Sequence, residues 1–324
     1  MNPTSLPFEY PFQWDNESLR EGAGVTPEGA AILKQRDRDL EDFLAGSGGV
    51  PTVLVAASDA SDRTKAVAHY ICDGNGDQEQ INSAQQECFE LAVAGGYNGS
   101  DSNAPGGRVL LSEGTFHISA AIDDRNPEVG TNGPPNMTLQ GLGMTATRIK
   151  QTGIDFAVIT HGVGYRLCDL TIDASAVTDI DKEGGLGVYF SSARCSVERV
   201  HFYKVGCQNY GNVDFQDDYG RVQDCRFFDV RRAGAVLFGN NANNNFTIGN
   251  MFRNVPLLAV RADGSKTVVA NNIIEGSQSS TTDTAAIAVG TNSVVVGNVC
   301  ESWGGYPATI TSGAGSQVAS NVLL

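Results

Sequence analysis

Along residues 137–324 one short pattern keeps returning: an apolar residue, any residue, usually Asn or Asp, then a second apolar cluster. It is seen in LCDLTI from Leu167, VERVHF from Val197, VQDCRF from Val222, IGNMFR from Ile248, VANNII from Val269, VGNVCE from Val296 and VASNVL from Val318. LQGLGM from Leu139 is a looser eighth copy. Successive anchors lie 28, 30, 25, 26, 21, 27 and 22 residues apart. A period of this size without a helical stripe predicts a solenoid whose stacked units share one core. A second apolar marker (Ile159, Phe190, Phe215, Phe238, Val260, Val289 and Ile310 in turn) precedes each anchor by 7 to 10 residues, whereas the step from an anchor to the next marker varies from 12 to 23. One side of each coil is thus nearly constant and another accepts insertions. Asn250, Asn271 and Asn298 recur just past the strand, where a sharp corner needs a left-handed residue and stacked amides can bond coil to coil. A β-sandwich also strings short strands between turns. It gives no reason to repeat Asn at one phase, so a parallel β-helix of about eight coils is the expected fold.

Upstream the pattern changes twice. Residues 1–25 hold Phe8, Tyr10, Phe12 and Trp14 among prolines, which excludes a regular helix or central strand. Such an arm docks on another chain or covers its own molecule. Thr26-Pro27-Glu28 then reads as a helix start. The helix that follows puts Leu33, Leu40 and Leu44 on one thin apolar face and ends at Gly46, Gly48 and Gly49. So short a stripe is marginal alone, so it packs on copies of itself as a trimeric bundle or on its own solenoid. TVLVAAS after Pro51 is a strand, residues 59–77 are turn-rich, and Gln78–Ala94 form an amphipathic helix with Ile81, Ala84, Cys88, Leu91 and Ala92 on one side. Three parts follow: an arm and short helix (1–50), a lead-in with a capping helix (51–136), and the coils (137–324).

Composition narrows the function. The formal net charge is −15, from 22 Lys and Arg against 37 Asp and Glu, a surface that repels nucleic-acid backbones. No apolar run is long enough to span a membrane, and the N-terminus lacks the basic start and apolar stretch of a secretory signal. The seven Cys have no CxxC or metal-ligand spacing, which fits free thiols in a reducing site of folding. No metal or cofactor is expected.

The order DGNGDQEQIN followed by GGRVLLSEGTFHIS resembles the opening of the pectate-lyase-like right-handed parallel β-helix superfamily. There an Asp-rich turn leads to a helix capping the solenoid and then to a first coil of the form GG-V-x-L-x-x-G-x-F/Y-x-I. The resemblance covers roughly residues 53–324. The RDRDLEDFLAG helix ahead of this module is similar to that of minor tail proteins and tail spikes of phages infecting actinobacteria. Together these imply an all-β fold: a right-handed parallel β-helix with an N-terminal capping helix and a short oligomerising helix. They further imply a homotrimeric virion tail protein assembled in the host cytoplasm. It would be held to other tail proteins through residues 1–50, with Phe8, Tyr10, Phe12, Trp14, Leu33 and Leu40 docking, and would present its solenoid to a bacterial surface polysaccharide.

Enzymes of the superfamily place carboxylates on the solenoid's side, either binding Ca²⁺ beside a basic residue or flanking a water. Here Arg148-Ile149-Lys150 and His161-Gly162 precede Asp217-Asp218 and no Asn-Thr-Asp exists, so the hydrolase motif order is broken. Asp214, Asp217 and Asp218 form the densest acidic group on a coil. They are the candidate catalytic set of a rival reading, a polysaccharide lyase or hydrolase, and equally read as an acidic turn. Asp179 and Asp181 lie in the longest loop, and Trp303 with Tyr306 in a Gly-flanked turn suits a sugar face. These four are the candidate glycan contacts, against a solvated loop and a packed Trp. The four His are scattered and none has a Cys or Ser partner at useful spacing, so no nucleophilic triad is readable. A spacer without glycan contact is the third possibility.

Overall fold

The structure is a computed structural model. It describes residues 51–94, 106–125, 133, 135–153, 155–178, 187–206, 212–231, 234–255, 258–275, 285–301 and 309–324. Internal contacts divide the chain into Met1–Gly49 and Val50–Leu324, so every described residue belongs to the second unit, and 51–136 and 137–324 lie in one body.

That body is a parallel β-helix with three sheet faces. The first face runs through Thr52–Ala56, Arg108–Leu111, Thr138–Gln140, the first half of Arg166–Asp173, the first half of Ser196–Tyr203, Arg221–Gln223, Phe246–Ile248, Val268–Ala270, Val294–Val296 and Gln317–Ala319. The second runs from Gly114–Ile118 through Thr147–Gln151 and the later halves of the two long strands to Arg226–Phe228, Met251–Arg253, Ile273–Glu275, Val299–Cys300 and Val322–Leu323. The third stacks Ile122–Asp123, Val158–Thr160, Val188–Phe190, Val213–Phe215, Val236–Phe238, Val260–Ala262, Ala285–Val289 and Thr309–Ser312. Every one of these pairings is parallel.

The inward column of the first face is Val53, Val109, Leu139, Leu167, Val197, Val222, Thr247, Val269, Val295 and Val318. Six of the eight sequence anchors fall on it. Ile248 and Val296 do not: each is one residue late, because a buried Thr247 and a uniform Val294-Val295-Val296 strand hide the alternation. The apolar markers all lie on the third face, where Phe190, Phe215 and Phe238 stack with ring centroids 4.7 and 5.2 Å apart. Phe202, Phe227 and Phe252 form a second such pile on the second face, 4.8 and 4.9 Å apart.

Two corners recur coil after coil. Asp169, Arg199, Asp224, Gly249, Asn271, Gly297 and Ser320 all have positive φ, two residues after the inward anchor. At the other edge Asn136, Gly164, Arg194, Tyr219, Asn244, Lys266, Asn292 and Gly315 do the same, two residues before each first-face strand. The left-handed conformation reverses the chain where a regular strand would run on, and Gly or Asn adopts it at least cost. Asn250 and Asn298 are therefore not the left-handed residues; Gly249 and Gly297 are. Asn250 and Asn298 instead join Asn272 and Asn321 in a ladder that is buried at its first three rungs and partly exposed at Asn321. Its amide-to-amide bonds from Nδ2 to the next Oδ1 measure 3.0, 2.9 and 2.9 Å. Each Oδ1 also accepts the backbone N–H of the preceding coil's matching residue, at 2.8 to 3.0 Å. Each Nδ2 also donates to a carbonyl of the previous coil, such as Val222 and Thr247.

The helix Gln78–Ala94 has the bounds the sequence predicts and packs on the first coils. Ile81, Ala84 and Cys88 are buried, but Leu91, at the edge of that face, is 46% exposed. Polar residues finish the contact: Gln78 Oε1 accepts the Ser119 amide, Asn82 Oδ1 the Asp123 amide and Gln85 Oε1 the Tyr165 hydroxyl. Asp77 anchors the turn before it, accepting the amides of Gly74 at 2.9 Å and His117 at 2.7 Å. Six cysteines are buried and free; Cys207 lies outside the described residues.

The ladder and the corner make different demands. Asn272→Ala leaves the Asn250 amide and one Asn250 Nδ2 proton without a partner in a dry interior, a loss of about 2–4 kcal/mol. Asn271→Gly keeps the left-handed corner and costs only tenths of a kcal/mol. Urea unfolding should show a much lower midpoint for the first variant than for the second; equal midpoints would refute the ladder's role.

Candidate functional site

Asp214, Asp217 and Asp218 are separated in role by the fold. Asp214 sits at the middle of Val213–Phe215, between Tyr189 and Leu237 of the adjoining coils, and is fully buried. Its Oδ1 accepts from Gln216 Nε2 at 2.5 Å, and its Oδ2 is buried with no hydrogen-bond partner. Burial pushes the carboxyl up to about 6, against the Gln216 bond that lowers it. Asp217 is exposed, and its Oδ1 accepts the amide of Asp218. Asp218 Oδ1 accepts the backbone amide of Asn243 at 2.6 Å and its Nδ2 at 3.1 Å, and Asn243 Oδ1 in turn accepts the amide of Ser265. Asp218 thus stitches successive corners together, while Asp217 bonds only within its own turn. The third is shut away from any polymer, which favours the acidic-turn reading. Among the described residues no three His, Cys, Asp or Glu gather to hold a metal ion. The remaining candidates (Asp179, Asp181, Trp303 and Tyr306, and Phe8, Tyr10, Phe12, Trp14, Leu33 and Leu40 of the arm and helix) lie outside the described residues.

One histidine does have a serine partner, which local spacing could not reveal because the two lie one coil apart. His161 Nδ1 is 2.9 Å from Ser191 Oγ. Ser191 Oγ also lies 3.0 Å from the Thr160 carbonyl, so that carbonyl and the ring compete for the one hydroxyl proton. Nε2 is buried without a partner, and burial holds the imidazole below its ordinary pKa. The neighbouring carboxylate, Asp124, accepts the backbone amides of His161 and Gly162 at 2.7 and 3.0 Å, not the ring. The arrangement lacks the third group, a carboxylate bonded to the ring, that orients the base of a nucleophilic triad.

A more open constellation stands on the outward side of the second face. Register places Arg148, Thr171, His201 and Arg226 in one column, and Lys150, Asp173, Tyr203 and Phe228 in the next. His201 meets the edge of Phe228 at 5.1 Å and tilts against Tyr203 at 6.2 Å, while Lys204 Nζ lies 5.3 Å from the Tyr203 ring. Arg148 is bonded to Asp173 Oδ2 at 2.9 Å. Burial works to raise the Asp173 carboxyl, but bonds from Ser175 and the Arg148 charge outweigh it and hold it below the usual range. Burial, then the cations Arg226 and Arg148, lower the pKa of His201, so it presents a neutral ring. Aromatic faces rimmed by cations suit stacking on sugar rings and pairing with their acidic substituents. The sequence signal was present in VERVHFY and RFF, but only the coil register brings those residues together.

The fold defines the class: a parallel β-helix protein. No protein-family model matches the chain, and no curated protein matches it in sequence. Solved structures with similar folds include the ORF18 protein of Geobacillus virus E2, at 18% identity and a TM-score of 0.47, covering 90% of this chain and 63% of that one. The chain therefore spans less than two thirds of that protein's length. Others are pectin methylesterase PemA of Erwinia chrysanthemi (12% identity, TM-score 0.44, 80% of each chain) and the A-module of the mannuronan C-5 epimerase AlgE4 of Azotobacter vinelandii. The last matches at 14% identity and a TM-score of 0.36, over 74% of this chain and 72% of that one.

The state of Asp214 has a measurable sign. Its folded pKa of about 6 exceeds the unfolded value near 3.9, so its contribution to stability is fully present below pH ~4 and is lost as pH rises through about 6. Asp214→Asn keeps an acceptor for Gln216 and removes the buried charge. The variant's advantage over the parent should grow from near zero at pH 4 to on the order of 2 kcal/mol at pH 8. Thermal melts at both pH values test this, and an advantage independent of pH contradicts it.

Proposed function

We propose that this protein is a virion tail-spike or minor tail protein that binds a bacterial surface glycan along the side of its solenoid. The observation that supports glycan binding is the outward platform of His201, Tyr203 and Phe228 flanked by Arg148, Lys150 and Arg226. It gathers stacking faces and cations on a chain whose net charge is −15. Virion attachment through residues 1–50, assembly as a homotrimer and the actinobacteriophage setting rest on the sequence resemblance of the N-terminal helix and the lead-in. Trp303, Tyr306, Asp179 and Asp181 remain further contact candidates of the same reading. Glycan degradation by Asp214, Asp217 and Asp218 is the weaker reading, because two of those carboxylates are bonded within the corners and the third is buried.

The test is size-exclusion chromatography of the protein with a panel of acidic and neutral bacterial envelope polysaccharides, following both components. Co-elution with a polysaccharide of unchanged length is the expected result. Tyr203→Ala with Phe228→Ala should weaken it about tenfold, the value of two lost aromatic contacts. Shortened polysaccharide would make the protein a depolymerase instead. No co-elution across the panel would leave it a spacer.

A further inference from the structure

The corner that leads into each first-face strand repeats a left-handed residue on eight successive coils, and five of the eight are Asn or Gly: Asn136, Gly164, Asn244, Asn292 and Gly315. The other three are Arg194, Tyr219 and Lys266, at φ values of 63°, 65° and 59°. A long or aromatic side chain holds this conformation at a greater cost than Asn or Gly, and such a choice persists where something other than the local backbone requires it. The fold does not require these side chains. All three are exposed, Tyr219 to 51%. Their backbones serve the corner as any residue would: the amides of Arg194, Tyr219 and Lys266 donate to the carbonyls of Asp218, Asn243 and Thr291. Among the described residues no hydrogen bond or ion pair engages the three side chains. They also stand together, on three of four consecutive coils, a run of about 14 Å at ~4.8 Å per coil. The first face adds to the same edge. Arg221, two residues past Tyr219, is exposed and bonded to the neutral Gln223. Register puts Phe246 beside Arg221 on the next coil, and its amide donates to the Gly220 carbonyl at 2.9 Å. Phe246 is outward and 38% exposed; apart from Tyr219, no other Phe, Tyr or Trp among the described residues is as exposed.

We infer that Tyr219 and Phe246, with Arg194, Arg221 and Lys266, form a binding site for an acidic sugar unit, separate from the platform of His201, Tyr203 and Phe228. Rings on a convex corner lie flat against the C–H face of a sugar without needing a cleft. Three cations with no carboxylate paired to them favour a ligand that carries an anionic group, a carboxylate or a phosphate. On a chain of net charge −15 such a patch is where an anionic group can approach, whereas a long nucleic-acid backbone would run on from it over acidic surface. Asp217 and Asp218 lie on the third-face side of Tyr219 and accept backbone amides there, so the cationic side of the site is the one toward Arg221 and Phe246. The site rests on the glycan reading for the kind of ligand it takes, but not on the second-face platform. It extends that reading: sites on two edges of one solenoid can hold two stretches of the same polymer, each strengthening the other's hold.

The test measures binding of the full chain to three kinds of immobilised bacterial envelope polysaccharide: carboxylated, phosphodiester-linked and neutral. One variant combines Arg194→Asn, Tyr219→Asn and Lys266→Asn, which removes the side chains but keeps residues at ease in the left-handed corner. A second is Phe246→Thr, and a third is Tyr203→Ala with Phe228→Ala on the platform. The triple Asn variant should bind one of the acidic polysaccharides about tenfold more weakly than the parent, and Phe246→Thr should weaken it in the same direction. Its urea-unfolding midpoint should equal or exceed the parent's, a split between stability and binding that a structural role for these side chains would not give. Combining the triple and platform variants should weaken binding beyond either alone. Unchanged binding by the triple variant, with a loss on the platform variant, overturns this site and leaves the glycan reading standing. A lowered midpoint for the triple variant also overturns it, since the side chains would then serve the fold. Equal loss on neutral polysaccharide contradicts the acidic ligand, and a parent that binds none of the three sinks both readings together.

Discussion

Every coil of this protein depends on turning the same corner at the same residue. Parallel strands pair only if each strand returns to the register of the one before, and a slip of one residue would send the inward side chains to solvent. The left-handed residue two places after each inward anchor fixes the direction of the turn, and the ladder of Asn250, Asn272, Asn298 and Asn321 fixes its depth. A corner buried against the next coil leaves backbone amides facing no strand partner. The ladder's oxygens accept those amides, which would otherwise each carry a desolvation cost. The Phe piles then fall into line as a consequence, because register sets their separations.

Earlier coils solve the same problem differently. Leu170, Val200 and Cys225 occupy the ladder position, and the left-handed residues there are Asp169, Arg199 and Asp224. Arg199 and Asp169 are joined by hydrogen bonds of 2.6 and 2.9 Å across adjacent coils, so charge pairing holds the outside of the corner where apolar packing fills the inside. The exposed half of such a pair contributes little by itself. Its effect is to bring two strained residues into a shared arrangement, and the buried apolar column supplies the stability.

These two solutions explain what the residue order could and could not reveal. The repeat of Asn was legible because an amide ladder needs the same side chain on every rung, but its phase was not: Asn250 and Asn298 are rungs, whereas Asn271 is the left-handed corner and Asn272 the rung beside it. The helix Gln78–Ala94 was legible because its stop and apolar spacing are local, although Leu91 shows that the spacing alone does not tell where the packing ends. Anchors at Ile248 and Val296 were displaced because a run of β-branched residues has no alternation to read, and the position of Gly249 and Gly297 was the stronger guide. The chemistry was harder still. Asp214, Asp217 and Asp218 look like one cluster in sequence, yet the strand, the turn tip and the corner give them three separate surroundings. His161 with Ser191, and His201 with Phe228, lie one coil apart, about 25 to 30 residues along the chain, and no local motif marks them.

The outward columns show how a solenoid separates functions that a globular domain would interleave. Side chains on one column are neighbours because register makes them so, and each column can change character at any rung without disturbing the core behind it. Inward positions must remain apolar, so variation is confined to alternate residues. Cations and aromatics occupy the coils of Arg148 to Phe228, where their charge opposes the acidity of the chain as a whole and creates a local field that attracts anions. From Phe246 onward the outward positions turn mostly apolar at Phe246, Met251 and Ile273, while Arg253 pairs with Glu275 and Glu301 follows exposed. The inward column behind both stretches keeps one register, so they differ in what they offer to solvent and not in what holds the coils together.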